Sequence, residues 1–222
     1  MAIQPHEVTI ALEHVSLPGI LGVPDGASGL VIFAHGSGSS RLSPRNNYVA
    51  RVLREGGIGT LLFDLLTPVE DREFERRFDI ELLTQRLVQT TRWVGQQPAL
   101  QQLPLGYFGA STGSAAALNA AAELGVEIQA VVSRGGRPDL AAAALARVQA
   151  PTLLIVGGND DLVIQMNQHA YEKMSAEKHL AIVPGATHLF EEPGALEAVA
   201  RLATEWFQRY LTAQAGEARR AA

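Results

Sequence analysis

The feature that constrains this chain most is an alternation of unbroken apolar runs with longer amphipathic segments. Six runs read as strands: residues 30–34, 59–63, 105–108, 128–132, 152–156 and 180–183. A strand with one wet face alternates apolar and polar residues. An unbroken apolar run has no wet face, so these strands belong inside a parallel sheet covered on both sides. The segments between them read as helices over 43–55, 80–96, 112–124, 140–148, 164–174 and 195–211. The first helix has the clearest ends, with Ser43 as N-cap, Pro44 at the first helical position and Gly56-Gly57 after the last turn. Upstream, residues 6–13 alternate in polarity and 17–23 follow as a hairpin partner, which adds an antiparallel pair. The pattern predicts an α/β fold: a three-layer α/β/α sandwich around a mostly parallel sheet of about eight strands.

The length of 222 residues suits one domain, 1–212, followed by a flexible polar and alanine-rich tail, 213–222. An apolar share of 47% is ample for a packed core. There are no cysteines, which rules out disulfides, thiolate metal ligands and a cysteine nucleophile. The net charge of −5, with basic residues scattered, argues against a nucleic-acid or anionic-membrane partner. The first ten residues carry Pro5 and Glu7 and no apolar run, so they do not read as a signal peptide. No stretch approaches the roughly 20 apolar residues of a membrane span. The expected location is the cytoplasm. Oligomeric state is not legible.

In sheets of this kind, function gathers at the carboxyl ends of the strands. There, Gly109-Ala110-Ser111-Thr112-Gly113 forms a G-x-S-x-G motif between an apolar strand and an alanine-rich helix. That strand–turn–helix context is what a nucleophile elbow requires. The turn is sharp, so small residues flank the serine, and its hydroxyl projects at a helix N-terminus that favours a developing oxyanion. A serine hydroxyl needs a base, and the base needs an orienting carboxylate, in the chain order serine, acid, histidine. Of six histidines, only His188 follows a strand by a short glycine loop. Asp160 and Asp161 both end the strand 152–156, and spacing alone separates them weakly. The loop 35–40 follows the third strand and is glycine-rich. The backbone amides of Ser37 and Thr112 are expected to form the oxyanion hole, with Gly36 letting the backbone approach a substrate. A phosphate-binding reading of that loop lacks the P-loop lysine and the third glycine of a dinucleotide fingerprint. His35 is expected to brace the loop.

With these residues placed, the sequence resembles the dienelactone hydrolase-like branch of the α/β-hydrolases, from about residue 8 to 211. The likeness is carried by Gly-Tyr-Phe-Gly-Ala-Ser-Thr-Gly (106–113), Pro-Thr-Leu-Leu-Ile-Val-Gly-Gly (151–158) and Pro-Gly-Ala-Thr-His-Leu-Phe (184–190). The acid of that family stands in a G-x-x-D-x-x-V pattern, matched by Gly157, Asp160 and Val163, and this resemblance favours Asp160. Dienelactone hydrolase proper uses a cysteine nucleophile, where this chain has Ser111. The resemblance implies hydrolysis of a carboxylic ester, thioester or lactone without naming the substrate.

On the substrate side, Arg41 and Arg134 are candidates to bind a carboxylate or phosphate, against the plainer expectation of local ion pairs. The mixed-charge segment 70–77 is either a lid or a solvated loop. The expectation is a Ser111-His188-Asp160 acyl-enzyme hydrolase acting on a small-molecule ester, with no cofactor and no metal. The alternatives are a non-catalytic ligand-binding member of the same fold and a phosphate-ligand enzyme built on residues 35–40.

Overall fold

The computed structural model describes residues 4–212. The tail expected at 213–222 lies outside the described residues. Eight strands form one sheet: β1 (His6–Ala11), β2 (Ser16–Gly22), β3 (Leu30–Ala34), β4 (Gly59–Phe63), β5 (Leu105–Ala110), β6 (Ile128–Arg134), β7 (Thr152–Gly157) and β8 (Lys178–Val183). Their order is β1-β2-β4-β3-β5-β6-β7-β8. β1 and β2 pair antiparallel, β2 runs antiparallel to β4, and the remaining pairs are parallel.

The apolar runs divide their side chains between two cores, because successive residues of a strand point to opposite faces. Ile32, Leu61, Tyr107, Val131 and Leu154 pack on one face with residues of α2 (Ile80–Gly95), α3 (Thr112–Leu124) and α4 (Asp161–Lys173). Val31, Phe33, Phe108, Val132 and Ile155 pack on the other face with α1 (Pro44–Glu55) and α5 (Ala195–Tyr210). Phe33 and Phe108 meet there with ring centroids 4.8 Å apart. Burying an aromatic side chain of this size contributes roughly 1.5–3 kcal/mol. Ala115, Ala116, Ala117, Ala120 and Ala121 are all buried. These small side chains let α3 lie close to the sheet while α2 covers it.

The capping residues act as their types suggest. Ser43 accepts a hydrogen bond from the Asn46 N–H at the start of α1, and the helix ends at Gly56. One element differs from expectation. Residues 140–148 do not form an α-helix but two 3-10 turns, Pro138–Ala141 and Leu145–Arg147. Ala141, Ala144, Leu145 and Val148 are buried, so the helical spacing of apolar residues is real. The backbone closes i→i+3 bonds instead, such as Ala144 N–H to Ala141 and Arg147 N–H to Ala144. Alanine favours helix by only fractions of a kcal/mol per residue, and the demands of packing on α3 and reaching β7 override it.

The topology sets the position of the site. β3 and β5 are neighbours, yet α1 follows β3 on one face and α3 follows β5 on the other. The chain departs in opposite directions from these two adjacent strand ends and leaves a crevice between them.

Candidate active site

Ser111 joins β5 to α3 with φ 51° and ψ −121°, a conformation that disfavours a side chain. Strain of this kind costs on the order of 1–3 kcal/mol and persists only where the surroundings impose it. Here they do. The Ser111 N–H donates to the Arg134 carbonyl at 3.1 Å, and the Ser111 carbonyl accepts from the Arg137 and Ser114 N–H groups, each at 3.1 Å. The flanking glycines are required by contact. A Cβ on Gly113 would lie 2.1 Å from the Ala34 carbonyl oxygen and 2.5 Å from that of His35, and one on Gly109 would lie 2.5 Å from the Ser114 Cα. All of these atoms are backbone, so nothing can rotate away. Gly113→Ala is expected to destabilise the fold by about 3 kcal/mol or more, read as a lowered urea midpoint.

The loops that carry Asp160 and His188 are held together in the same way. A Cβ on Gly157 would lie 2.4 Å from the Ala186 carbonyl oxygen. The N–H groups of Gly158 and Asn159 donate to the carbonyls of Val183 (2.8 Å) and Ala186 (2.9 Å). This brings His188 Nδ1 to 2.8 Å from Asp160 Oδ2. Asp160 occupies the N-cap position of α4, but its side chain makes no capping bond. Asp161 is the first residue of that helix, where its charge complements the helix dipole. The two neighbouring aspartates thus have separate surroundings. Past His188, Phe190 is 1% exposed, adopts φ 55° and anchors the loop in the α1/α5 core. In the sequence Phe190 figures only as the last residue of the 184–190 phrase, a large apolar side chain two positions after His188. Ser111 Oγ and His188 share no hydrogen bond among the described residues. Such contacts commonly tighten only when substrate binds.

The glycine loop after β3 passes against Ser111. A Cβ on Gly36 would lie 3.1 Å from the Ser111 Cβ and 3.8 Å from its Oγ. The Ser37 N–H donates to Thr112 Oγ1 at 2.9 Å, a side-chain contact that the motif did not foretell. Thr112 opens α3, so its own amide is among the first-turn N–H groups that lack a helical acceptor. His35 braces this loop: its Nδ1 is 2.9 Å from the Gly36 carbonyl oxygen, and its Nε2 is 3.0 Å from the Leu65 N–H. Both contacts are satisfied by the neutral tautomer protonated on Nδ1. Burial lowers the His35 pKa below its ordinary 6.5. Below pH 6.5 the unfolded chain therefore binds a proton that the folded protein resists. Stability from this group is complete above pH 6.5 and declines as the pH falls toward the lower folded value. Urea midpoints at pH 7.5 and 5.0 should drop more steeply in the wild type than in His35→Gln.

A family profile described as Alpha/beta hydrolase domain matches residues 27–205. The chain belongs to the alpha/beta hydrolase family. The crystal structure of a dienelactone hydrolase from Anabaena variabilis is 57% identical, covers 95% of this chain and 99% of its own, and superposes with a TM-score of 0.92. The chain therefore lies in the dienelactone hydrolase-like branch of that family. An esterase of Pyrococcus furiosus shares the fold at 18% identity and TM-score 0.73, covering 94% of this chain and 92% of its own. Curated relatives from two Mycobacterium tuberculosis strains, provisionally named phosphoribosyl transferases, are 56% identical over 209 residues. That match takes in 94% of this chain and 47% of theirs, so the chain spans about half the length of those relatives.

The rim around the crevice departs in part from expectation. Arg41 is engaged with Asp64, donating through its backbone N–H (2.6 Å) and its guanidinium (2.7 Å), so it is committed to a local ion pair. Arg134 is 8% exposed and faces no such acid. The segment 70–77 folds into 3-10 turns at Glu70–Arg72 and Phe74–Phe78. It is tied down where Glu70 accepts from Arg86 at 2.9 Å and where Arg77 donates to the Asp71 carbonyl at 2.8 Å. A cavity of about 210 Å³ lies between it and the glycine loop, lined by residues that include His35, Ser40, Asp64, Leu66 and Pro68. Among the described residues, no group of three or more His, Asp or Glu is arranged to hold a metal ion. No helix there is long and apolar enough to cross a membrane.

Proposed function

We propose that this alpha/beta hydrolase cleaves a carboxylic ester, thioester or lactone through an acyl-enzyme on Ser111. The observation that carries the reading is the Asp160–His188 contact at 2.8 Å, made through Nδ1, in a fold that presents Ser111 on a strained elbow. A carboxylate that accepts the Nδ1 proton leaves Nε2 with the lone pair, and so able to take the Ser111 proton. Ser111 Oγ then attacks the acyl carbon. The ester C=O becomes an oxyanion, which the amides of Thr112 and Ser37 stabilise. In the free protein the Ser37 N–H already donates to a neutral hydroxyl. An oxyanion is a stronger acceptor and draws that N–H toward itself. Protonated His188, stabilised by Asp160, returns its proton to the leaving alcohol or thiol. Water, activated by the same histidine, then releases the acid and restores Ser111.

The transferase name of the curated relatives belongs to proteins of about twice this span. Within this chain the glycine loop lacks a phosphate-gripping lysine, and its turns are occupied by His35 and Thr112. A screen of p-nitrophenyl esters and acyl thioesters of increasing chain length, beside fluorophosphonate labelling, tests the reading. Turnover with an adduct on Ser111 supports it. An unlabelled Ser111 with no turnover would instead favour a non-catalytic ligand-binding protein.

A further inference from the structure

One short turn, residues 134–137 at the carboxyl end of β6, meets the surroundings of all three proposed triad residues. The Arg134 carbonyl accepts from the Ser111 N–H, and the Arg137 N–H donates to the Ser111 carbonyl, each at 3.1 Å. The turn therefore holds both sides of the strained elbow residue. Gly135 adopts φ 51°, and a Cβ there would lie 3.2 Å from the His188 carbonyl oxygen and 3.5 Å from His188 Cε1. Its bare backbone is the surface on which the imidazole rests. A Cβ on Gly136 would lie 2.0 Å from Ser133 Oγ and 2.6 Å from Ser114 Oγ, so that peptide is packed against the first turn of α3.

Asn167 reaches this turn from α4. It is fully buried and lies about two helical turns beyond Asp160, the N-cap of that helix. Its Nδ2 donates to the Gly136 carbonyl at 3.0 Å, across 31 residues of chain, and to the Val163 carbonyl of its own helix at 2.8 Å. Both hydrogens of the amide are thus committed, while Oδ1 has no hydrogen-bond partner. An unmatched buried acceptor destabilises a fold, so stability alone does not account for the amide. Its donors do, because they tie the helix headed by Asp160 to the turn that braces Ser111 and His188. We infer that Asn167 is a positioning residue for the reaction. By holding Gly136 it sets the separation of α4 from the turn, and with it the registration of Asp160, His188 and Ser111. It acts through backbone and not on the substrate. This inference rests on the hydrolase reading and adds to it a residue outside the triad. Without the tie the two sides drift, and a misplacement of about 1 Å in such a constellation costs about 100-fold in rate.

The test uses Asn167→Thr. Threonine is close to asparagine in volume, and inside a helix its hydroxyl bonds the carbonyl four residues back. Its one O–H is then committed to Val163, so the Gly136 contact alone is lost. Kinetics on p-nitrophenyl butyrate, at a temperature where circular dichroism shows each protein folded, should give a kcat lowered about 10–100-fold with KM within about 3-fold of the wild type. The rate of fluorophosphonate labelling at Ser111 should fall in parallel. Thr91→Val is the control. Thr91 is a buried residue of α2 whose hydroxyl donates to the Leu87 carbonyl and meets the Tyr107 hydroxyl. Its loss should lower the Tm and leave kcat within about 2-fold. If Asn167→Thr does not fold, Asn167→Ser removes the same contact with less bulk and carries both readouts. An Asn167 variant that turns over and labels like the wild type overturns the inference, and so does a fall in kcat that Thr91→Val matches. In either case the hydrolase reading stands. A wild type with neither turnover nor an adduct on Ser111 removes that reading itself, and the inference with it.

Discussion

Replacing Ser111 by alanine is expected to leave a folded protein whose kcat on its best ester falls by about 10⁴–10⁶-fold. The loss is large because, in the proposed acyl-enzyme mechanism, this hydroxyl forms the covalent bond. His188, Asp160 and the amides of Ser37 and Thr112 have nothing to act upon without it. The residual rate comes only from binding and from the donors that polarise the carbonyl. Stability should respond differently. Ser111 holds φ 51°, where a Cβ is strained and glycine is at ease. Ser111→Ala keeps that strain and Ser111→Gly relieves it. Relief of roughly 1–3 kcal/mol outweighs the extra unfolded-state entropy of glycine, at most about 1 kcal/mol. Ser111→Gly should therefore unfold at higher urea than Ser111→Ala while being equally inactive. A serine there that could be removed without loss of esterase turnover would contradict the acyl-enzyme mechanism outright.

The second large effect is at Asp160. Asp160→Asn is expected to lower kcat by about 10⁴-fold with little change in KM. An asparagine amide donates where the carboxylate accepts. It turns His188 to the tautomer with its proton on Nε2, which cannot take a proton from Ser111. The neighbouring Asp161→Asn is the internal control. Its carboxylate lies in the first turn of α4, so its removal costs under about 1 kcal/mol of stability and spares the chemistry. Steady-state kinetics on both variants, with one ester, separates the two aspartates. Equal activities would show that the 2.8 Å contact to His188 carries no catalytic role.

The outcome for Asp160 and Asp161 illustrates where sequence reasoning stops. Both stand one after the other beyond β7, and both are acids suited to cap a helix. Only the approach of the β8 loop, admitted by the bare backbone of Gly157, gives one of them the imidazole. Arg41 and Arg134 looked equivalent for the same reason. Each lies near the carboxyl end of the sheet, Arg41 beyond β3 and Arg134 as the last residue of β6, yet Asp64 reaches Arg41 while no carboxylate reaches Arg134. The segment 140–148 shows the opposite error, in which a correct apolar spacing was assigned the wrong hydrogen-bond ladder.

What the sequence by itself determined was therefore periodic or covalent. It set which runs were buried on both faces, where α1 was capped, the strand–turn–helix context of Ser111, and the absence of any cysteine to serve as nucleophile. These follow from local chemistry, because a pattern of side chains along one strand or helix dictates which of its faces must leave water. The tertiary structure alone decided the partners. The hydrogen bond from the Ser37 amide to Thr112 spans 75 residues of chain, the pair of His188 with Asp160 spans 28, and Leu65 reaches His35 across 30. Such contacts depend on how the sheet orders its strands and how closely glycine lets two backbones approach. That information is distributed over the whole fold and is written at no single position.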